Sequence, residues 1–107
     1  MAVARVAYWK FMQGQRERGK KLLDEMVDMF QYPGVLGSIW LDSTENPDSS
    51  LSFVIFESPE ALEADAKDPR LREALKPMAA VVERLPPELH AYEVDFVRLR
   101  AGFGQRA

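Results

Sequence analysis

The stretch that decides the fold is Phe53-Val-Ile-Phe-Glu-Ser-Pro-Glu-Ala-Leu62, which predicts a β-strand that runs directly into an α-helix. Its first four residues are β-branched or aromatic, and such residues fit a pleated, half-buried surface. Ser58 is a preferred N-cap residue, and Pro59 suits the first helical position because its missing N–H needs no partner there. Glu60 then places a negative charge where the helix dipole favours one.

Length and composition predict one globular domain. The chain has 107 residues, of which 47% are hydrophobic and 29% are charged, as is typical of globular proteins. We assign residues 1–100 to a single domain and residues 101–107 to a flexible tail. The net charge of −3, with no basic face, argues against a nucleic-acid partner.

Several functional classes are excluded by residues that the sequence lacks. Without cysteine there can be no disulfide, thiolate catalysis or cysteine metal site, and a single histidine leaves only scattered carboxylates, so we predict no metal. No apolar run approaches the ~20 residues of a membrane span. The first five residues lack the charged-then-apolar order of a signal peptide, so we expect a cytoplasmic protein.

The periodicity of apolar residues predicts the remaining elements. We expect strands over residues 3–12, 35–42, 51–57 and 91–99, a helix over 16–31, and a second helical region that starts at 58, restarts at 69 and breaks near Pro77. The order β-α-β-β-α-β is that of an α+β, ferredoxin-like fold with an antiparallel sheet. Strands 1 and 3 are then central, strands 2 and 4 lie at the edges, and both helical regions cover one face.

Apolar residues occupy both faces of this predicted sheet. In strand 1, Val6 and Tyr8 alternate with Trp9 and Phe11. In strand 2, the alternation puts on one face Leu36, Ser38 and Trp40, and on the other Val35, Gly37, Ile39 and Leu41. Because the helices can cover one face only, we predict a homodimer in which two sheets meet face to face.

Four segments of the chain resemble the antibiotic biosynthesis monooxygenase-like proteins: Pro33-Gly-Val-Leu-Gly37, Phe56-Glu-Ser-Pro-Glu-Ala-Leu62, Asp68-Pro-Arg-Leu-Arg-Glu-Ala-Leu75 and Ala91-Tyr-Glu-Val94. The resemblance runs from about residue 5 to residue 99. It implies a dimeric α/β barrel with a ligand cavity between sheet and helices in each subunit. The activities it implies are quinone-forming oxygenation of aromatic polyketides without a cofactor, haem degradation and quinol oxygenation.

The resemblance also nominates individual residues. The enzymes that act on aromatic polyketides carry an Asn and a Trp four residues apart on the third strand, and these positions fall on Ser52 and Phe56. A Tyr early in the second helix falls on Leu62, whereas an Arg in the Leu-Arg-Glu-Ala-Leu run is kept as Arg72.

Haem degradation is not supported by the same comparison. The haem-degrading members need an Asn on strand 1 and a Trp and a His on the second helix. The helix positions fall on Asp65 and Leu75, and strand 1 has no Asn.

Two residues are candidates for catalysis. Oxygenation without a cofactor requires a dry pocket in which a deprotonated aromatic compound lies beside a positive or hydrogen-bonding group. Arg72 is the candidate for that group, although the residue suits a solvated helix surface equally well. His90 is the candidate general base, because histidine commonly fills that role near neutral pH. The alternative interpretation is that His90 is a partly exposed loop residue before the last strand and has no catalytic role.

The predicted pocket takes a small apolar or aromatic ligand and no cofactor. Its lining residues are Tyr8, Met26, Trp40, Ser52, Phe56 and Leu62. The alternative is that the aromatic residues among them are core packing, in which case the protein is a non-catalytic binding or assembly domain. Asp68 is predicted to cap a helix, and a solvated acidic face is predicted for Glu57, Glu60, Glu63 and Asp65.

Overall fold

The computed structural model describes residues 1–26 and 32–103. Within them, the strands are β1 (Val3–Lys10), β2 (Val35–Asp42), β3 (Ser49–Phe56) and β4 (Glu88–Glu93). The helices are α1 (Arg16–Met26), α2 (Pro59–Ala66) and α3 (Pro69–Leu75), and a 3₁₀ helix (Lys76–Ala80) follows α3 directly. The prediction of an α+β, ferredoxin-like fold is confirmed.

The strands form one antiparallel sheet in the order β2-β3-β1-β4, so the predicted central and edge strands are confirmed. Val3 lies opposite Phe56 on β3 and opposite Glu93 on β4. Side chains of directly paired residues share a face of the sheet, so this register assigns each side chain to the helix-covered face or to the open face. Among the described helices, none combines the length and the apolar character needed to cross a lipid bilayer.

The helix starts and the helix break agree with the sequence prediction. The Ser58 hydroxyl accepts a hydrogen bond from the Ala61 N–H at 3.1 Å, and the Asp68 carboxylate accepts one from the Arg70 N–H at 2.8 Å. Each cap is followed by a proline in the first turn. Pro77 lies within the 3₁₀ helix because a proline ring cannot continue α-helical hydrogen bonding.

Several predicted boundaries were wrong. The last strand spans Glu88–Glu93 rather than residues 91–99, because Glu93 already pairs with Val3 at the start of β1 and residues 95–99 extend beyond that end of β1. His90 therefore lies inside β4 rather than in a loop. The third strand begins at Ser49, two residues early, and the first ends at Lys10. Residues 27–31, which were assigned to the first helix, lie outside the described residues.

A β-bulge changes the faces predicted for the start of β2. Val35 pairs with Phe56 and Gly37 with Ile55. Between these two pairs the chain advances by two residues in β2 but by only one residue in β3, which is a β-bulge. Val35 consequently packs against the helix-side cluster that contains Phe56, rather than sharing a face with Ile39 as predicted. From Gly37 onward the predicted alternation holds.

The core lies between the sheet and the helices and consists of two clusters. One contains Ala7, Trp9, Phe11, Met78, Val81 and Val82. The other contains Val3, Val54 and Phe56, with Val35, Ala61 and Leu62 packed against it. Burying each large side chain contributes roughly 1.5–3 kcal/mol, so these clusters supply much of the stability.

One close approach between α1 and β1 depends on a glycine. Gly19 is buried against the Phe11 ring, and a Cβ atom at Gly19 would lie 2.7 Å from Phe11 Cδ1, with Cε1 nearer still. Phe11 is 1% exposed and therefore has little room to move.

We predict that Gly19→Ala destabilises the protein, although alanine favours a helix by about 1 kcal/mol over glycine. Overpacking a filled core costs about 1–3 kcal/mol, which outweighs that gain. Urea unfolding should show a lower midpoint, whereas Arg18→Ala, at an exposed position of the same helix, should change the free energy of unfolding by less than about 0.5 kcal/mol. A Gly19→Ala protein more stable than the wild type would contradict the close approach.

A polar network at Asp42 joins α1 to the β2–β3 hairpin. The Asp42 carboxylate accepts hydrogen bonds from Trp40 Nε1 and Ser50 Oγ, each at 2.8 Å, and from Lys20 Nζ. Burial alone would raise the pKa of Asp42, but the hydrogen bonds from Lys20, Ser50 and Trp40 and the charge of Lys20 together lower it to about 2. Arg16 extends the network by donating to the carbonyl oxygen of Ser43 at 3.1 Å.

We predict that the contribution of Asp42 to stability is complete above about pH 4 and is lost as the pH falls toward 2. The sign follows because the pKa is about 2 in the folded protein and 3.8 for an unperturbed carboxyl. At pH 7, Asp42→Asn should cost roughly 1–2 kcal/mol, and urea unfolding should show that this difference disappears between pH 4 and pH 2. Asp95→Asn, at an exposed position, is the control; a difference for Asp42→Asn that persists at pH 2 would contradict the network.

Candidate functional site

An ion pair between Arg5 and Asp65 lies between the sheet and α2. Arg5 is on the helix-covered face of β1, and its Nη1 atom is 2.6 Å from Asp65 Oδ2. Asp65 is only 3% exposed, so the prediction that it belongs to a solvated acidic face was wrong. Asp65 follows Leu62 by three residues and therefore shares the inward face of α2, and the Arg5 cation compensates for burial of the carboxylate.

The two charged groups differ in the number of partners that they contact. The Arg5 guanidinium also lies over the Phe56 ring, 5.3 Å from its centroid, which is a cation–π geometry. Asp65 Oδ1 is buried, and no donor among the described residues hydrogen-bonds to it. The carboxylate thus has one acceptor engaged by Arg5 and one acceptor that is buried without a donor.

A cleft lies on the same side of the sheet as the ion pair and is lined by neighbours of Arg5 and Asp65, but by neither of these two residues themselves. Its volume is about 200 Å³, and its lining residues are Val3, Pro59, Leu62, Ala91, Tyr92 and Glu93. Ala91 pairs with Arg5 across the sheet, and Val3 is the next residue of β1 on the same face. The cleft is open to solvent, and its lining is mainly apolar.

A second group on the helix-covered face is aromatic and lies toward the other end of the sheet. Ser52 is paired with Trp40, and its hydroxyl accepts a hydrogen bond from Trp9 Nε1 at 3.0 Å. The Trp9 and Trp40 rings stack with centroids 6.1 Å apart. Both indole N–H groups donate hydrogen bonds to protein side chains. We therefore interpret this aromatic group as part of the packed core.

The predicted pocket residues therefore separate into different places. Ser52 and Trp40 lie together in the aromatic group, whereas Phe56 and Leu62 lie beside the ion pair. Phe56 is 0% exposed, and Leu62 lines the cleft. Met26 is the last residue of α1, and its side chain falls outside the described part of the chain.

Tyr8 and His90 are brought together on the open face of the sheet, across from the cleft. Their rings meet edge to face with centroids 5.6 Å apart. His90 Nε2 is 3.4 Å from Glu88 Oε2, close enough for an ion pair when the imidazole is protonated.

Arg72 lies in the last turn of α3 and is exposed. Like Arg5 and Asp65, it is not among the residues that line the cleft, and unlike them it has no part in the buried ion pair. Within the described residues, no three carboxylate or imidazole groups gather in a way that would hold a metal ion.

The sequence did not lead us to predict the ion pair between Arg5 and Asp65, although a pattern around each residue indicates that its side chain faces the core. Arg5 alternates with Ala7 and Trp9, which places it on their face of β1. Asp65 has the helical spacing from Leu62 that places it inward. Neither pattern indicates that the two side chains meet, because that depends on how α2 crosses the sheet.

Comparison with known proteins agrees with this fold. Structures similar to this chain include a protein from Chloroflexus aurantiacus assigned to the antibiotic biosynthesis monooxygenases, which is 19% identical over 92% of this chain and 97% of its own length, with a TM-score of 0.74. Another is SnoaB, a cofactor-independent oxygenase from Streptomyces nogalater, which is 13% identical over 94% of this chain and 97% of its own, with a TM-score of 0.73.

These identities are low, so the structural likeness establishes the fold alone. No curated protein matches the sequence. The sequence model of the antibiotic biosynthesis monooxygenases, however, matches residues 2–77, which is more than half of the chain and includes both members of the ion pair. The chain belongs to the antibiotic biosynthesis monooxygenase family.

Proposed function

We propose that this protein is a homodimeric cytoplasmic monooxygenase that oxidises small aromatic or quinol compounds without a cofactor. The observation that carries the proposal is the apolar cleft beside the buried Arg5–Asp65 pair. A small apolar site with a few polar groups is the usual form of a small-molecule site. Membership of the monooxygenase family supports the type of reaction.

For a quinol substrate the reaction balances without an external reductant. One oxygen atom of O₂ enters the ring, the other leaves as water with two of the substrate's hydrogen atoms, and the product is a hydroxyquinone. The substrate itself supplies all four electrons that reduce O₂. The protein must therefore promote loss of a proton from the substrate and stabilise the resulting anion in a site shielded from water.

Arg5 is suited to that second task. Its guanidinium is largely buried, with 16% of the side chain exposed, and Ala91, directly opposite it, lines the cleft. A charge acts more strongly in such a place than at the surface, because little water screens it. We assign the cationic role to Arg5 rather than to Arg72, because Arg72 is exposed on α3.

The open face of the sheet supports the homodimer. Its exposed apolar side chains include Tyr8, Ile39, Leu41 and Tyr92, between 41% and 53% exposed. The register joins them to partly exposed residues of β3 between them, since Ile39 pairs with Phe53 and Leu41 with Leu51. A contiguous apolar surface of this kind is typical of an interface, and a second copy of the same face would cover it.

A second candidate function is a non-catalytic binding or assembly domain. It is favoured by Phe56 and by the Trp40–Ser52 group, because positions at which the resemblance expects catalytic groups are core packing in this chain. The two candidates differ in whether the cleft supports turnover.

We expect the purified protein to consume O₂ with methylhydroquinone in the presence of a metal chelator and without added cofactor, and to form one hydroxyquinone per O₂. Labelled O₂ should deliver one atom to the product. Leu62→Trp should abolish most of the activity because the larger side chain fills the cleft, whereas Leu36→Trp, at an exposed position, should not. Oxygen uptake by Leu62→Trp at the wild-type rate would remove the cleft from the mechanism, and binding without turnover would favour the second candidate.

We expect sedimentation at micromolar concentration to give twice the monomer mass of 12.2 kDa. Phe53→Glu should shift the protein toward monomer, because it places a charge in the apolar open face. Leu89→Lys is the matched control, since Leu89 is 48% exposed but pairs with Ala7 on the helix-covered face. A wild-type monomer, or equal effects of both substitutions, would contradict dimerisation through the open face.

A further inference from the structure

We propose that residues 95–103 of each subunit form an arm that pairs, as an added β-strand, with the outer edge of β2 in a second copy of this chain. This inference rests on the homodimer in the proposed function, because the arm needs a partner subunit. It goes further by naming a contact that is separate from the meeting of the two open faces. The two contacts involve different atoms, so one can fail while the other holds.

The arm (residues 95–103) carries large apolar side chains that stay exposed within the described chain. Four of them are more than half exposed: Phe96 at 70%, Val97 at 56%, Leu99 at 62% and Phe103 at 71%. Single apolar side chains on a surface are ordinary, but four that follow one another so closely form a continuous apolar segment. Such a segment indicates a surface that another molecule covers.

The backbone of the arm is equally unpaired. The Val94 N–H donates to the Ala2 carbonyl oxygen at 2.9 Å and so continues the pairing of β4 with β1 by one bond. From residue 95 to residue 99, no backbone group hydrogen-bonds to another backbone group of the described chain. Apolar and charged residues nevertheless alternate here as in a strand, and the Arg98 guanidinium lies over the Phe96 ring, 5.1 Å from its centroid. The arm is thus a strand-like segment without a neighbouring strand.

The outer edge of β2 lacks a neighbouring strand as well. β2 lies at the end of the sheet order, and none of its eight residues is buried. Proteins usually protect such an edge with a charged residue, a proline or a bulge. The bulge of β2 ends at Gly37, and from Gly37 to Leu41 there is neither a charged residue nor a proline. This part of the edge can therefore accept an extended segment as a further strand.

The arm and the edge match in length, and their positions favour an exchange between subunits. Residues 95–100 and residues 37–42 each span about 20 Å when extended. Within one subunit the arm leaves the sheet from β4, which is three strands and about 14 Å away from β2. A two-fold axis lets each subunit supply one arm and receive one, so both unpaired segments are satisfied by the same symmetry.

The added strand would be continuous with the open face. Ile39 and Leu41 lie on that face of β2 and are 43% and 45% exposed. Alternation places Val97 and Leu99 on one side of the arm, so beside Ile39 and Leu41 they extend the same apolar surface. The arm thereby enlarges the area through which two copies associate.

Hydrogen exchange of individual amides, measured by NMR on the wild-type dimer, tests the pairing directly. Along β2 the N–H groups point alternately toward β3 and toward the outer edge. We expect both sets to be protected between Gly37 and Asp42. Contact between the open faces alone would supply hydrogen bonds only to the set that points toward β3.

A double proline variant removes the pairing without touching the core. Val97→Pro with Arg98→Pro eliminates two successive N–H groups, so a donor is lost whichever side of the arm meets β2. The edge-facing amides of β2 should then exchange about tenfold or more faster, and the dissociation constant of the dimer should rise about tenfold or more, as expected from the loss of hydrogen bonds. The amides that face β3 should stay protected, because neither residue belongs to a core cluster. Val97→Ile with Arg98→Lys keeps both N–H groups and should behave as the wild type.

A spin label shows which subunit receives the arm. It can be attached to Leu99→Cys, because the chain has no other cysteine. In a mixture with isotope-labelled wild type, the label should broaden the resonances of β2 in the partner subunit more than those of β4.

The outcomes separate this inference from the dimer on which it rests. A wild-type dimer whose edge-facing amides exchange as fast as those of the proline variant would overturn the arm and leave the dimer intact. Protection that survives in the proline variant, or stronger broadening of β4 than of β2, would overturn the arm in the same way. A wild-type protein that is monomeric at micromolar concentration would contradict both the dimer and the arm.

Discussion

The pairing of β1 with both β3 and β4 is the constraint on which the rest of the structure depends. Val3 is held opposite Phe56 and Glu93, and every residue of β1 then has a determined face. A shift of one residue would exchange the two faces and bring Val6 and Tyr8 under the helices in place of Ala7 and Trp9. The position of Arg5 beneath α2 follows from the same register, so the candidate site depends on the sheet as much as the core does.

The two faces of the sheet carry different chemistry. The helix-covered face holds both core clusters, the Arg5–Asp65 pair and the cleft. The open face holds Tyr8 and His90 within a mainly apolar surface. Most residues nominated from the sequence are thus divided between the open face, which carries Tyr8 and His90, and the helix-covered side, which carries the buried ion pair.

The chain keeps the family fold and carries a buried ion pair beneath α2. Phe56 contacts the Arg5 guanidinium through its ring face. A buried ion pair is a poor source of stability, because desolvation of two charges offsets their attraction. Asp65 Oδ1, which is buried without a donor among the described residues, adds to that cost.

Local patterns in the sequence determined most of the fold. Ser58-Pro59 and Asp68-Pro69 set the helix starts, Pro77 set the break, and strand alternation from Gly37 onward set the faces of β2. Tertiary structure alone decided the end of β4 and the bulge at Val35, because both depend on which partner residues remain available for pairing. It also decided the site. Arg5 and Asp65 are 60 residues apart in the chain, and their contact depends on how α2 lies across the sheet, which no periodicity of either segment encodes.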